Sequence, residues 1–209
     1  MNWLWILCAV CIGFAAGSVR RRAVARENVG EAAVRKLLQQ NLDPREFHIL
    51  NNVTLPFEDG TTQIDHIVVS TRGIFVIETK HWHGWIFASE QSRKWTQVHY
   101  RLKRSMQNPV RQNFKHLKAV MQLLDFLPYD AFTPVVIFTG EAEFKTGRPK
   151  GVSSPEELLH HMKSTPPAVM SVNRMAFSVG RLTCARYSLT EKTDIEHQLY
   201  LDRKFGSLG

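Results

Sequence analysis

Three ionisable residues fall at the ends of two strand-like runs. Asp65 interrupts Gln63-Ile64-Asp65-His66-Ile67-Val68-Val69, and Glu78 and Lys80 close Gly73-Ile74-Phe75-Val76-Ile77-Glu78-Thr79-Lys80. An acid inside a run that otherwise reads as core needs a partner to offset its desolvation. Glu78 and Lys80 are two positions apart, so on a strand they project from the same face. If the chain reverses near Arg72-Gly73, antiparallel pairing sets Asp65 across from Thr79 and Lys80, and the three side chains converge at one sheet edge. Two carboxylates there offer hard oxygen ligands to a divalent ion such as Mg²⁺, and a cation beside them offsets charge on a phosphate. The plainer alternative pairs Asp65 with a Lys or a turn and leaves Glu78 and Lys80 as a solvated strand end.

The elements that must position these residues follow from periodicity. Residues 26–42 carry Val29, Ala33, Val34, Leu37 and Leu38 at helical spacing, with Glu31 at the margin of that face. Strand-like runs follow at 48–55, 63–70, 73–79, 85–88 and 95–100, and Thr71-Arg72-Gly73 is a turn in which Gly73 is free to take positive φ. Pro109 opens a helix with Val110, Phe114, Leu117, Val120, Met121 and Leu124 on one side. Residues 134–139 contain the unbroken run Val135-Val136-Ile137-Phe138 of a strand buried on both faces. Ser154-Pro155-Glu156-Glu157 is a helix start, and 191–204 reads as a polar terminal helix. This order predicts an α/β domain.

In that order the pieces resemble a known family. Gly30-Glu31, Asn51-Asn52-Val53-Thr54-Leu55, Gln63-Ile64-Asp65-His66-Ile67, Ile77-Glu78-Thr79-Lys80, Gly84-Trp85-Ile86-Phe87 and Asn108-Pro109-Val110-Arg111-Gln112-Asn113 are similar to the nuclease-related domain (NERD) group of the PD-(D/E)xK superfamily. The superfamily's leading Pro is absent, because Ile64 precedes Asp65. The resemblance implies a restriction-endonuclease-like mixed sheet core flanked by helices. It also implies a Mg²⁺- or Mn²⁺-dependent nuclease hydrolysing phosphodiester bonds in DNA, with RNA second. Asp65 and Glu78 would bind the metal, the Thr79 carbonyl would add a ligand, and Lys80 would orient the attacking water. Glu31 would be a further metal or water ligand, and Gln112 would lie near the scissile phosphate. The competing expectation is a nucleic-acid-binding or scaffold protein that keeps the fold without turnover.

Charge and hydropathy set the context. The chain has 209 residues, 44% hydrophobic and 22% charged, with a net charge of +8; this excludes a disordered tail and a polytopic membrane protein. Between Gln91 and Leu124 lie eight cations and no acid, a charge equal to that of the whole chain. Arg101, Lys103, Arg104, Arg111 and Lys115 in this tract are candidate phosphate contacts, with Trp95, His99 and Tyr100 interleaved. A solvated helix face or contact with anionic lipid are the alternatives.

Residues 1–19 carry no charge and Arg20-Arg21-Arg22 follows. Residues 3–19 therefore read as a single transmembrane helix with the chain beyond it in the cytoplasm, against a cleaved signal peptide, which would place its cations first. The expected organisation is an anchor over 1–22, a nuclease-like domain over 26–145 and a helical extension over 146–209 that completes or flanks that domain. Cys8 and Cys11 lie in the apolar run and Cys184 stands alone, so there is no disulfide framework. His81-x-His83 with His66 lacks a fourth zinc ligand at suitable spacing.

Overall fold

The computed structural model describes residues 28–166, 169–188 and 191–205. The chain forms two compact units, the larger spanning Glu27–Ser188. It takes in the stretch up to 145 together with part of the expected extension, through Ser188. Of the other unit only the terminal helix Glu191–Phe205 is described. The apolar run 3–19 and its arginine flank lie outside the described residues. Among those that are described, no helix is long and apolar enough to cross a membrane.

In the larger unit a helix α1 (Val29–Asn41) precedes three long strands, β1 (Phe47–Phe57), β2 (Gly60–Ser70) and β3 (Gly73–Lys80). Short strands β4 (Gly84–Phe87), β5 (Lys94–His99) and β6 (Leu102–Gln107) lead to helix α2 (Pro109–Leu123). Strands β7 (Phe132–Phe138), β8 (Ala142–Phe144) and β9 (Val152–Ser153) then precede helices α3 (Pro155–Ser164) and α4 (Val172–Ala185). The expected mixed sheet flanked by helices is present, but as two sheets rather than one. A five-stranded sheet has the order β1-β2-β3-β7-β9 and a four-stranded sheet the order β6-β5-β4-β8. Each mixes antiparallel pairs with parallel ones. Strands β6, β8 and β9 escape sequence reading because β8 and β9 are only three and two residues long and β6 lies at a sheet edge, almost wholly exposed.

Helices cover both faces of the larger sheet. On one, Leu117, Val120 and Leu124 of the α2 region and Met175 and Leu182 of α4 pack on Val53, Leu55, Ile67 and Val76. On the other, Val34 and Leu38 of α1 and Leu158 and Met162 of α3 pack on Val68, Phe75 and Ile77. A third apolar cluster joins Trp82, Ile86 and Trp95 to Val136 of β7 and Val152 of β9, seating the smaller sheet.

The buried face of α2 differs from the purely apolar stripe expected. Phe114 is exposed, while Asn113 and His116 are buried. The Asn113 side-chain amide donates to the carbonyls of Val76 (2.9 Å) and Val135 (3.0 Å), pinning the helix across the parallel β3–β7 pair. Asn113→Ala removes both bonds from a buried site and is expected to lower unfolding free energy by roughly 1–3 kcal/mol. The check is a lower urea midpoint with an unchanged slope.

Candidate active site

The β2–β3 hairpin closes through Thr71-Arg72, with Ser70 opposite Gly73 and His66 opposite Ile77. Gly73 takes φ 135°, as its place in the turn requires. The reversal lies one position earlier than the sequence suggests and the β2–β3 ladder ends at His66–Ile77, but beyond it Asp65 still meets Thr79, as expected, through the Thr79 N–H. Because this shift preserves facing parity, the three side chains still share one face. The face is apolar through Val69–Ile74 and Ile67–Val76, and turns acidic at the next step.

At that step the sheet opens around Asp65. The Asp65 Oδ2 atom accepts the Thr79 N–H at 2.6 Å, one step past the last β2–β3 ladder pair. On the β1 side, pairing passes from Asn51–His66 to Val53–Ile64, and the skipped Asn52 adopts φ 49°, a left-handed conformation that Asn tolerates better than most residues. Its neighbour Asn51 meets His66 Nδ1 through Oδ1 at 2.8 Å. Strand β3 continues beside β7, where Glu78, Thr79 and Lys80 pair with Val136, Ile137 and Phe138.

Glu78 is 2% exposed, and both carboxylate oxygens are engaged. Oε1 accepts from Lys80 Nζ, and Oε2 lies 3.0 Å from His116 Nε2. His116 Nδ1 in turn lies 2.7 Å from Thr62 Oγ1. An ionised carboxylate only accepts, so Nε2 carries a hydrogen. Burial alone would raise the Glu78 pKa. The hydrogen bond from His116 and the Lys80 ammonium outweigh it and hold the group below its ordinary value. Asp65 shifts the opposite way. Burial, and then the negative charges of Glu78 and Glu31, push it well above the usual carboxylate range, against the Thr79 N–H and Lys80.

Glu31 reaches this site because α1 begins unusually close to the end of β3. Asn28 caps the helix, its side chain accepting from Gly30 N at 3.1 Å. A Cβ on Gly30 would stand 2.6 Å from Thr139 Oγ1 and 2.8 Å from His81 Cβ, so only glycine permits the approach. Gln112 lies half-buried one turn before His116, on the same side of α2.

The structure thus gathers Asp65, Glu78, Lys80 and the charge of Glu31, with Thr79 between the last two β3 side chains. Thr62 and His116 were missed by the sequence reading. Their trace was a pair of polar residues, Asn113 and His116, at the buried spacing of an amphipathic helix. Among the described residues, no group of three or more His, Cys, Asp or Glu is assembled to hold one ion. His81 and His83 are engaged with Thr139 and the Glu141 N–H, so the zinc reading with His66 does not assemble. The basic tract is divided: Arg101, Lys103 and Arg104 lie exposed on the β5–β6 hairpin, and Arg111 and Lys115 on the outer side of α2. Arg111 also donates to the Gln91 carbonyl at 2.7 Å.

The raised pKa of Asp65 carries a sign. The unfolded chain loses the Asp65 proton at a lower pH than the folded chain, so this group destabilises the fold as pH rises above the ordinary carboxylate range. Asp65→Asn, which keeps an oxygen for the Thr79 N–H, is expected to raise the melting temperature in EDTA at neutral pH. The gain should shrink as pH falls towards the ordinary Asp value, as followed by thermal melts across that range.

Comparison with known proteins places the chain in a family. Residues 26–139 match the nuclease-related domain, NERD, over more than half of the chain. The chain is also similar to an uncharacterized protein of Bacillus anthracis, 50% identical over 97 residues that cover 46% of this chain and 45% of that protein. It therefore spans less than half the length of that relative. No solved structure matches the chain. On the strength of the match across 26–139, the chain belongs to the nuclease-related domain family, whose general setting is the PD-(D/E)xK superfamily.

Proposed function

We propose that this chain is a metal-dependent nuclease that hydrolyses phosphodiester bonds in DNA, with RNA as the second substrate class. The observation that carries the reading is the gathering of two carboxylates and a lysine where the β2–β3 ladder ends: Asp65 on the Thr79 N–H, and Glu78 between Lys80 and His116, with burial and the nearby acids raising the Asp65 pKa. A dication relieves that crowding, and the donor set is of the hard-oxygen kind that suits one. Asp65 and Glu78, with the Thr79 carbonyl and Glu31, would hold Mg²⁺ or Mn²⁺, which when bound polarises a phosphoryl oxygen and lowers the pKa of its water.

The protein's own groups do the rest. Lys80, with a side chain 20% exposed, sits where it can orient the attacking water and offset charge on the phosphate. His116 fixes the Glu78 carboxylate and is itself held by Thr62, so that Glu78 presents a set orientation. Gln112, one turn earlier, would meet the phosphodiester, and Arg101, Lys103, Arg104, Arg111 and Lys115 would supply backbone contacts. Residues 3–19 followed by Arg20 to Arg22 support a membrane tether with this unit on the cytoplasmic side.

One observation favours a second reading, a nucleic-acid-binding or scaffold protein without turnover. Both Glu78 oxygens are already taken by Lys80 and His116, and no three-ligand group is assembled among the described residues.

The two readings separate in one experiment. The full-length protein is incubated with plasmid and single-stranded DNA, with Mg²⁺ or with EDTA. Cleavage is expected only with metal, with Asp65→Ala and Lys80→Ala each losing at least ~10²-fold in rate and His116→Ala losing about 10–100-fold. Equal rates in wild type and Asp65→Ala, or no cleavage by folded wild type, would overturn the nuclease assignment. Salt-dependent binding that survives Asp65→Ala without any cleavage would establish the second reading.

A further inference from the structure

The smaller sheet has an outer face that the carboxylate site does not use. Along β4 the residues alternate: Ile86 is buried with Trp95, while Trp85 and Phe87 point the other way, 49% and 40% exposed. The pairing gives this face two rows. Glu143, Trp85, Val98 and Lys103 lie side by side in one; Phe87, Thr96 and Ser105 make the other. The Lys145 ammonium stands 4.9 Å from the Trp85 ring centroid and also pairs with Glu143.

The composition of this face selects its partner. An interface for another protein fold would be expected to surround its aromatics with further apolar side chains. Here their neighbours are Thr96, Ser105, Lys103 and Lys145, with Val98 the one aliphatic among them. Lys94 and Lys103 on the strands, with Arg101 and Lys145 flanking them, face two acids at the β8 edge, Glu141 and Glu143, of which Glu143 is already met by Lys145. Exposed rings set among cations match a polyanion that carries flat rings of its own. Residues two apart on a strand are separated by roughly 6.6 Å, about twice the ~3.4 Å rise per base along one strand of a duplex. The two rings therefore suit bases that have left the duplex stack. Trp85 follows Lys80 by five residues, at most ~18 Å of chain, so a bound strand leads to the carboxylates within a few nucleotides.

We infer that this face is a binding platform for single-stranded nucleic acid, stacking unpaired bases on Trp85 and Phe87 with Lys94, Lys103 and Lys145 on the phosphates. The inference rests on the nuclease reading for its substrate class, and it adds a preference for unpaired strands and a surface outside the acidic site.

The test is fluorescence anisotropy of the full-length protein in EDTA with a labelled oligothymidylate, beside a duplex of equal length. Trp85→Ala with Phe87→Ala is expected to weaken single-strand binding by at least ~30-fold, from two lost stacking contacts, and to change duplex binding far less. Trp85→Phe should retain most of the affinity. Both rings are exposed, so the double variant should keep its melting temperature. Cleavage by wild type together with unaltered oligothymidylate affinity in the double variant overturns the platform and leaves the nuclease reading standing. Absence of both binding and cleavage in wild type overturns both. Binding to phosphatidylserine vesicles in preference to oligonucleotide, lost in the double variant, assigns the face to lipid and overturns the inference.

Discussion

The Asp65 carboxylate takes the N–H of Thr79 at the point where the β2–β3 ladder gives out. That bond makes the rest of the site possible. An acid at the end of an apolar hairpin would otherwise splay the strands to reach water, because burying an unpaired carboxylate costs several kcal/mol. By accepting a backbone donor, Asp65 stays in the sheet and lets β3 run on beside β7 to Lys80. The irregularity appears on the other flank as well, where Asn52 turns left-handed opposite Asp65. On both sides, then, the ladder is interrupted at the carboxylate.

From this constraint the roles of the helices follow. Helix α1 comes over one face and must approach β3 so closely that position 30 has room only for glycine; its reward is Glu31 within electrostatic reach of Asp65. Helix α2 comes over the other face and substitutes Asn113 and His116 for the hydrophobic residues that a purely structural helix would carry there. Asn113 ties the helix to β3 and β7, and His116 grips Glu78. The outcome is two carboxylates in unlike states. Glu78 is stabilised as an anion by donors, whereas Asp65 is crowded by like charge. Neighbouring acids whose pKa values are pushed apart in this way mark a candidate functional site.

Much of this was legible in the chain. Strand periodicity located β2 and β3, the two-residue spacing put Glu78 and Lys80 on one face, and even a misplaced turn preserved the convergence of Asp65 because the shift kept the parity of the pairing. Glu31 could be suspected from its place at the margin of the α1 stripe. Thr62 and His116 could not, since the Thr62–His116 and His116–Glu78 contacts span 54 and 38 positions of sequence and no local pattern encodes a contact of that range. The basic tract was visible as a composition but not as a surface. Folding divides it between an exposed hairpin and a helix, and it adds Trp85, Phe87 and Lys145 from outside the tract.

The sequence by itself determined the family, the order of the longer elements and the identity of the candidate site residues, because these depend on residue type and on periods of two and three to four residues. Only the tertiary structure decided that the smaller strands form a second sheet, that Asp65 takes the Thr79 N–H, that His116 completes the Glu78 environment, and that burial and neighbours push the two carboxyl pKa values in opposite directions. Each of these depends on desolvation and on distances between residues far apart in the chain, and those quantities come into existence only when the sheets and helices close around them.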